Sequence, residues 1–86
     1  MILSNKTLEQ KIEAILFYKN EPEEIKILAK IVNVTEKAVR DALKNLENSL
    51  ENRGICLVQT ETEVALATAK DLKELIESIA RDEMNM

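Results

Sequence analysis

Three basic side chains, Lys37, Arg40 and Lys44, recur at three- and four-residue spacing, which lines them along one face of a helix. Such a strip can hold nucleic-acid phosphates while its helix lies in the major groove. Glu36 and Asp41 flank it, however, and acidic and basic neighbours at this spacing more often satisfy one another on the helix surface. Other residues able to do chemistry are few. The chain has no histidine, which removes the commonest general base and metal ligand. Cys56 sits in an apolar, strand-like run with no basic residue nearer in sequence than Arg53, and reads as an inert core thiol. Glu21, Glu23 and Glu24 cluster, but a solvated helix start accounts for them better than a metal site. These residues offer no catalytic constellation and call for no cofactor or metal.

One small domain must position them, because 86 residues leave no room for a second core. At this size roughly 60–65% of the unfolded chain's surface can be buried, so stability is marginal and gains from a partner. The composition is 33% charged and 45% hydrophobic, globular rather than disordered. Phe17 and Tyr18 are the only aromatic residues, so the core is aliphatic. No run of about 18 apolar residues could span a membrane, and the start, MILSNK, is too short and polar for a signal peptide. A lone cysteine fits a reducing cytoplasm. Twelve basic against sixteen acidic side chains give a net charge of −4. The two signs balance over residues 1–34 and again over 35–53, and the acidic surplus lies elsewhere. Such a chain does not attract phosphate backbones.

The element order follows from periodicity and caps. Thr7 with Gln10 forms a capping-box pattern, which starts a helix at Leu8 with the stripe Leu8, Ile12, Ile15 and Leu16. Phe17 and Tyr18 do not share that face, so this turn is either buried all round or docks elsewhere. Pro22 forces Glu21 out of the helical region. A second helix carries Ile25, Leu28, Ala29 and Val32 on one face, and Asn33, tolerant of the left-handed conformation, ends it. Thr35 caps a third helix with the stripe Val39, Leu43, Leu46 and Leu50, extending as far as Asn52 and stopped by Gly54. Two helices across so short a break form a helix-turn-helix unit. Residues 55–60 and 63–68 are β-rich and partly alternating, and read as a hairpin whose turn lacks the favoured Asn-Gly or Gly. Thr68 and Asp71 cap a last helix with the stripe Leu72, Leu75, Ile76 and Ile79. It runs toward Met84 and Met86 without a stop signal, as in a chain cut from a longer one. The expected fold is α+β, mainly α: a winged helix-turn-helix of three helices, a two-stranded wing and a C-terminal helix, one domain over residues 1–86.

Lys11-Ile-Glu-Ala-Ile-Leu-Phe17, Glu21-Pro22 and Leu28-Ala-Lys30 resemble, in order and spacing, the N-terminal domain of the ScpB (segregation and condensation protein B) family. Asn33-Val-Thr-Glu-Lys-Ala-Val39, the pair Leu43 and Leu46, Arg53-Gly54 and Leu66-Ala-Thr68 extend the resemblance over about residues 8–80. The resemblance implies a non-enzymatic, dimerising subunit that binds the kleisin ScpA and serves SMC in chromosome condensation and segregation. Three departures stand out. The family's second winged helix, which carries much of its kleisin contact, is absent; the wing turn is Gln59-Thr-Glu-Thr62 without glycine; and Glu24 replaces a hydroxyl at the second helix's cap.

The runner-up is a small winged-helix transcription regulator with Lys37, Arg40 and Lys44 on DNA. Against it, Glu61 and Glu63 at the wing tip would repel the backbone a wing touches. Phe17, Tyr18, Ile27 and Ile31 lie off their helices' core stripes. They are either enclosed by the domain or form an interface, and the family's dimerisation favours the interface. The resulting expectation is a cytoplasmic, nucleoid-associated homodimer with ScpA and SMC as partners, and with no sequence-specific nucleic acid or membrane among them.

Overall fold

The computed structural model describes residues 6–84; the start MILSN and the C-terminal Asn85 and Met86 lie outside them. Helix α1 (Leu8–Lys19) opens on the anticipated capping box. Thr7 Oγ1 accepts from the Gln10 N–H at 3.3 Å and Gln10 Oε1 accepts from the Thr7 N–H at 2.9 Å, so two orphan donors of the first turn are satisfied reciprocally. The helix ends at Asn20, left-handed at φ 55°, whose N–H donates to the Leu16 carbonyl. Beyond it Pro22 keeps the chain extended and Glu23–Glu24 form a two-residue strand, β1. Helix α2 (Ile25–Val32) closes at Asn33, φ 57°, and α3 (Glu36–Ser49) begins under Thr35, whose Oγ1 accepts from the Ala38 N–H at 3.1 Å.

The core is aliphatic. Ile12 and Leu16 of α1 and Ile25, Leu28 and Ala29 of α2 pack on Val39, Ala42 and Leu43 of α3, with Val64 of the sheet closing the cluster. Leu46 and Leu50 continue the buried face of α3. Each helical residue among them lies on the face its helix's period marks out.

The wing is formed by β2 (Ile55–Gln59) and β3 (Glu63–Thr68), paired antiparallel with Leu57 opposite Leu66. The sheet it belongs to has a third strand: β1 adds to the other side of β3, giving the order β1-β3-β2. Glu23 faces Val64 and Glu24 faces Glu63, and the Ile25 N–H donates to the Thr62 carbonyl at 2.8 Å. The glycine-free turn is solved by a threonine. Thr60 Oγ1 accepts from the Thr62 and Glu63 N–H groups at 3.3 and 3.0 Å, while the Thr60 N–H donates to the Glu63 carbonyl at 2.9 Å. The hydroxyl thus stands in for a main-chain acceptor, and neither Glu61 nor Thr62 needs a positive φ.

Two expectations are corrected here. Helix α3 stops at Ser49, not Asn52, and the left-handed residue of the connection is Asn52 (φ 64°), whereas Gly54 has no positive φ. Gly54 instead lies just before β2, its carbonyl accepting from the Ala69 N–H. The last helix, α4 (Lys73–Met84), is preceded by a 3-10 turn over Lys70–Leu72 whose N-cap, Ala69, makes no side-chain hydrogen bond; Thr68 and Asp71 do not cap it. Its apolar stripe lies outside the core: Leu75, Ile76 and Ile79 are exposed and Leu72 is only half-buried. Val64 and the partly buried Leu57 and Leu66 already close the sheet's side of the core, and the 3-10 turn leads α4 off the end of the domain.

Candidate protein-interaction surface

Helix α3 does place Lys37, Arg40 and Lys44 on its exposed side, but it does not leave them as a basic strip. Lys37 Nζ pairs with Asp41 Oδ2 at 3.3 Å, one helical turn on. Arg40 Nη2 donates to the Glu61 carbonyl at 2.9 Å, tying the exposed side of α3 to the turn of the wing. Two of the three basic groups are therefore engaged within the domain, and the wing tip that Arg40 meets is acidic. Of the three, Lys44 alone makes no side-chain hydrogen bond or ion pair among the described residues.

The remaining candidates for chemistry are placed as ordinary surface or strand residues. Glu23 lies 3.5 Å from Lys19, and Glu24 lies 3.7 Å from Lys26; such exposed or half-exposed pairs contribute about 0–1 kcal/mol each. Among the described residues no group of three or more His, Cys, Asp or Glu is arranged to hold a metal ion. Cys56 is half-buried in β2, its thiol directed at the Thr68 carbonyl 3.6 Å away. No helix among the described residues is long and apolar enough to cross a membrane.

The surface's distinctive feature is apolar. Phe17 is 77% and Tyr18 84% exposed at the C-terminal end of α1, and Ile31 is 51% exposed on α2. Ile27 differs: it is half-buried, so it belongs to the domain's own packing more than to a free face. Phe17 does not stand alone. With Ala14 it forms one wall of an open groove whose other wall is Ile55 of β2 and Leu66 of β3, with Lys6, Gln10 and Glu13 along the rim. A second apolar face is the α4 stripe of Leu75, Ile76 and Ile79. Sequence reasoning identified neither as a surface, because it named the α4 stripe without saying what covers it and read Ile55 only as a strand residue. The available signal was Gln10, Ala14 and Phe17 at i, i+4 and i+7, which share a face of α1 distinct from the Ile12–Leu16 stripe.

A helix-turn-helix buttressed by α1, with a β hairpin whose turn is hydrogen-bonded to its second helix through Arg40, defines this protein as a winged helix-turn-helix domain. Residues 10–86 match the family profile of the segregation and condensation complex subunit ScpB. Segregation and condensation protein B of Caldanaerobacter subterraneus subsp. tengcongensis is 35% identical over 80 residues, covering 91% of this chain and 48% of that protein. This chain belongs to the ScpB family, and it spans about half the length of that curated relative. Two solved structures share its fold. One is a dimer of the ScpB N-terminal domain complexed with an ScpA peptide, with a TM-score of 0.75 and 24% identity, covering 83% of this chain and 91% of that one. The other, ScpB from Mycobacterium tuberculosis, has a TM-score of 0.83 and 21% identity, covering 98% of this chain and 54% of that one.

Proposed function

We propose that this chain is the N-terminal winged-helix domain of a ScpB-type subunit, a non-enzymatic structural component of the SMC–kleisin complex that condenses and segregates chromosomes in the cytoplasm. It works by protein contact: it self-associates and helps hold the kleisin ScpA. The observation that carries this reading is the surface of a confirmed family member. Its third helix has two of three basic groups occupied by Asp41 and the Glu61 carbonyl, while Phe17, Tyr18 and Ile31 stand exposed. The solved ScpB N-terminal domain that shares this fold is a dimer carrying an ScpA peptide, which supports the same two partners here. Affinity for duplex DNA depends on the number of phosphates neutralised, and a chain of net charge −4 with an acidic wing supplies few, so the regulator reading has no support in this geometry.

The test is co-purification with the ScpA kleisin encoded by the same genome, combined with light scattering of the chain alone. A dimer that takes up kleisin is the expected result. A monomer that ignores kleisin but shifts a duplex probe in a sequence-dependent way would replace this function with the regulator.

A further inference from the structure

The sheet ends differently on its two sides. On one side the edge strand is β1, two glutamates entered from Pro22; a short, charged, proline-flanked edge resists the addition of a further strand. On the other side it is β2, Ile55-Cys-Leu-Val-Gln59, with no charge and no proline along its length. Among the described residues β3 is the only element packed extensively along it.

The phase of the ladder fixes which way the main chain of β2 points. The Ala69 N–H donates to the Gly54 carbonyl, and the Thr60 N–H to the Glu63 carbonyl. Antiparallel strands exchange hydrogen bonds at alternate residues, so between these two points Cys56 and Val58 turn their main-chain groups to Ala67 and Ala65. Ile55, Leu57 and Gln59 turn theirs outward, where no partner among the described residues meets them. That open row is roughly 14 Å long, at about 3.4 Å per residue. Beside it, Val58 is 48% exposed on the outer sheet face, while Leu57 lies on the core side. An open groove runs past Ile55 and Leu57 to Glu47 and Glu51 at the end of α3. Neither glutamate forms an ion pair among the described residues. The last turn of α3 has no basic residue to offset its carbonyl ends. With Asp71, these acids share the groove with two bases, Arg53 and Lys70.

We infer that β2 accepts an extended segment of a partner protein as a fourth strand, with aliphatic residues beside Val58 and basic residues beside Leu57, toward Glu47 and Glu51. A row of alternating main-chain donors and acceptors is answered by another strand, whereas a helix satisfies its own groups. A second copy of this chain, at net charge −4, brings no cationic surplus to the groove, so the occupant is a basic segment of a different protein. This inference does not depend on the self-association or the kleisin contact proposed above.

The probe is a capped peptide of alternating lysine and valine, seven residues long, titrated into the isotope-labelled chain. Before peptide is added, the Leu57 and Gln59 amides should exchange with solvent on the order of 100-fold faster than those of Cys56 and Val58. Peptide should shift and protect the outward amides. Residues directly opposite one another share a sheet face, so the lysine amides are the ones that face β2. N-methylation of the lysine amides should therefore abolish binding, and N-methylation of the valine amides should spare it. Gln59→Pro removes one outward donor and leaves the ladder bonds in place; Glu51→Lys reverses one wall charge. Each should keep wild-type circular dichroism and weaken the peptide about tenfold. The methylated pair decides the matter even if a variant misfolds. Equal binding of both methylated peptides, loss with the valine set, shifts confined to Phe17 or α4, or no binding at millimolar peptide overturns the inference. Protection of Leu57 and Gln59 that grows with the chain's own concentration gives the edge to a second copy and also overturns it.

Discussion

Leu16 and Phe17 are neighbours on α1, and the fold predicts that their truncations behave oppositely. Leu16 is 1% exposed in the central cluster, whereas Phe17 is 77% exposed. Leu16→Ala removes buried methyl groups and leaves a cavity between α1, α2 and α3, at a cost of about 3 kcal/mol. A domain of this length has roughly 4–13 kcal/mol in total, so that is a large share of its stability. With a urea slope of about 1 to 1.5 kcal/mol/M for so small a protein, the unfolding midpoint should fall by about 2 M or more. Phe17→Ala removes a larger side chain but little buried area, and alanine's better helix propensity returns about 0.5 kcal/mol. Its midpoint should stay near wild type when the chain is dilute. At high concentration the result changes, because association that favours the folded state raises its apparent stability. If Phe17 lies in a self-association interface, the wild-type midpoint rises with concentration and the Phe17→Ala midpoint does not. Urea titration followed by circular dichroism at two concentrations measures all of this. A Phe17→Ala loss at high dilution as large as that of Leu16→Ala would refute the reasoning, since it would mean that Phe17 is a core residue.

Arg40→Ala should loosen the wing by losing the hydrogen bond to the Glu61 carbonyl, costing about 0.5–1.5 kcal/mol, and hydrogen exchange should quicken first at Thr62 and Glu63. Gly54→Ala should be neutral or slightly stabilising, since an added Cβ would meet only Leu72 Cδ1 at an ordinary 3.8 Å and the chain loses unfolded-state entropy; Asn52→Ala, forced to keep φ 64°, should cost about 1 kcal/mol, and thermal melts of the two variants rank them. Thr35→Ala should cost about 1 kcal/mol through the lost cap on α3, measured in the same melts. A mobility-shift assay at physiological salt should show no sequence-specific complex, and a sharp footprint weakened by Lys44→Ala would contradict the neutral reading of α3.

The legible parts of the molecule were those governed by neighbours three or four residues apart. Thr7 with Gln10, Asn33 and Thr35 act through hydrogen bonds to their own turns, so their roles could be read without knowing the fold. The stripes Ile12–Leu16, Ile25–Leu28 and Val39–Leu43 became the core because helical period alone puts those residues on one face. The candidate surface was harder to read. Phe17, Tyr18 and Ile31 were visible as residues off their stripes, but Ile27 was not separable from them, because burial at a stripe's margin depends on what packs alongside.

What the chain's order of residues determined by itself was therefore the set of helices, the starts of α1 and α3, the two long strands and the winged-helix class, all products of short-range sterics, capping and periodicity. Tertiary structure decided the rest. It made Glu23–Glu24 a strand, since two residues have no β preference of their own and pair only because β3 and the Thr62 carbonyl lie beside them. It tied the exposed face of α3 to the wing at one point, because Arg40 reaches a carbonyl 21 positions away. It left the α4 stripe outside the core, because amphipathic spacing specifies that a helix has an apolar face but carries no information about which surface, in its own chain or another, will cover it.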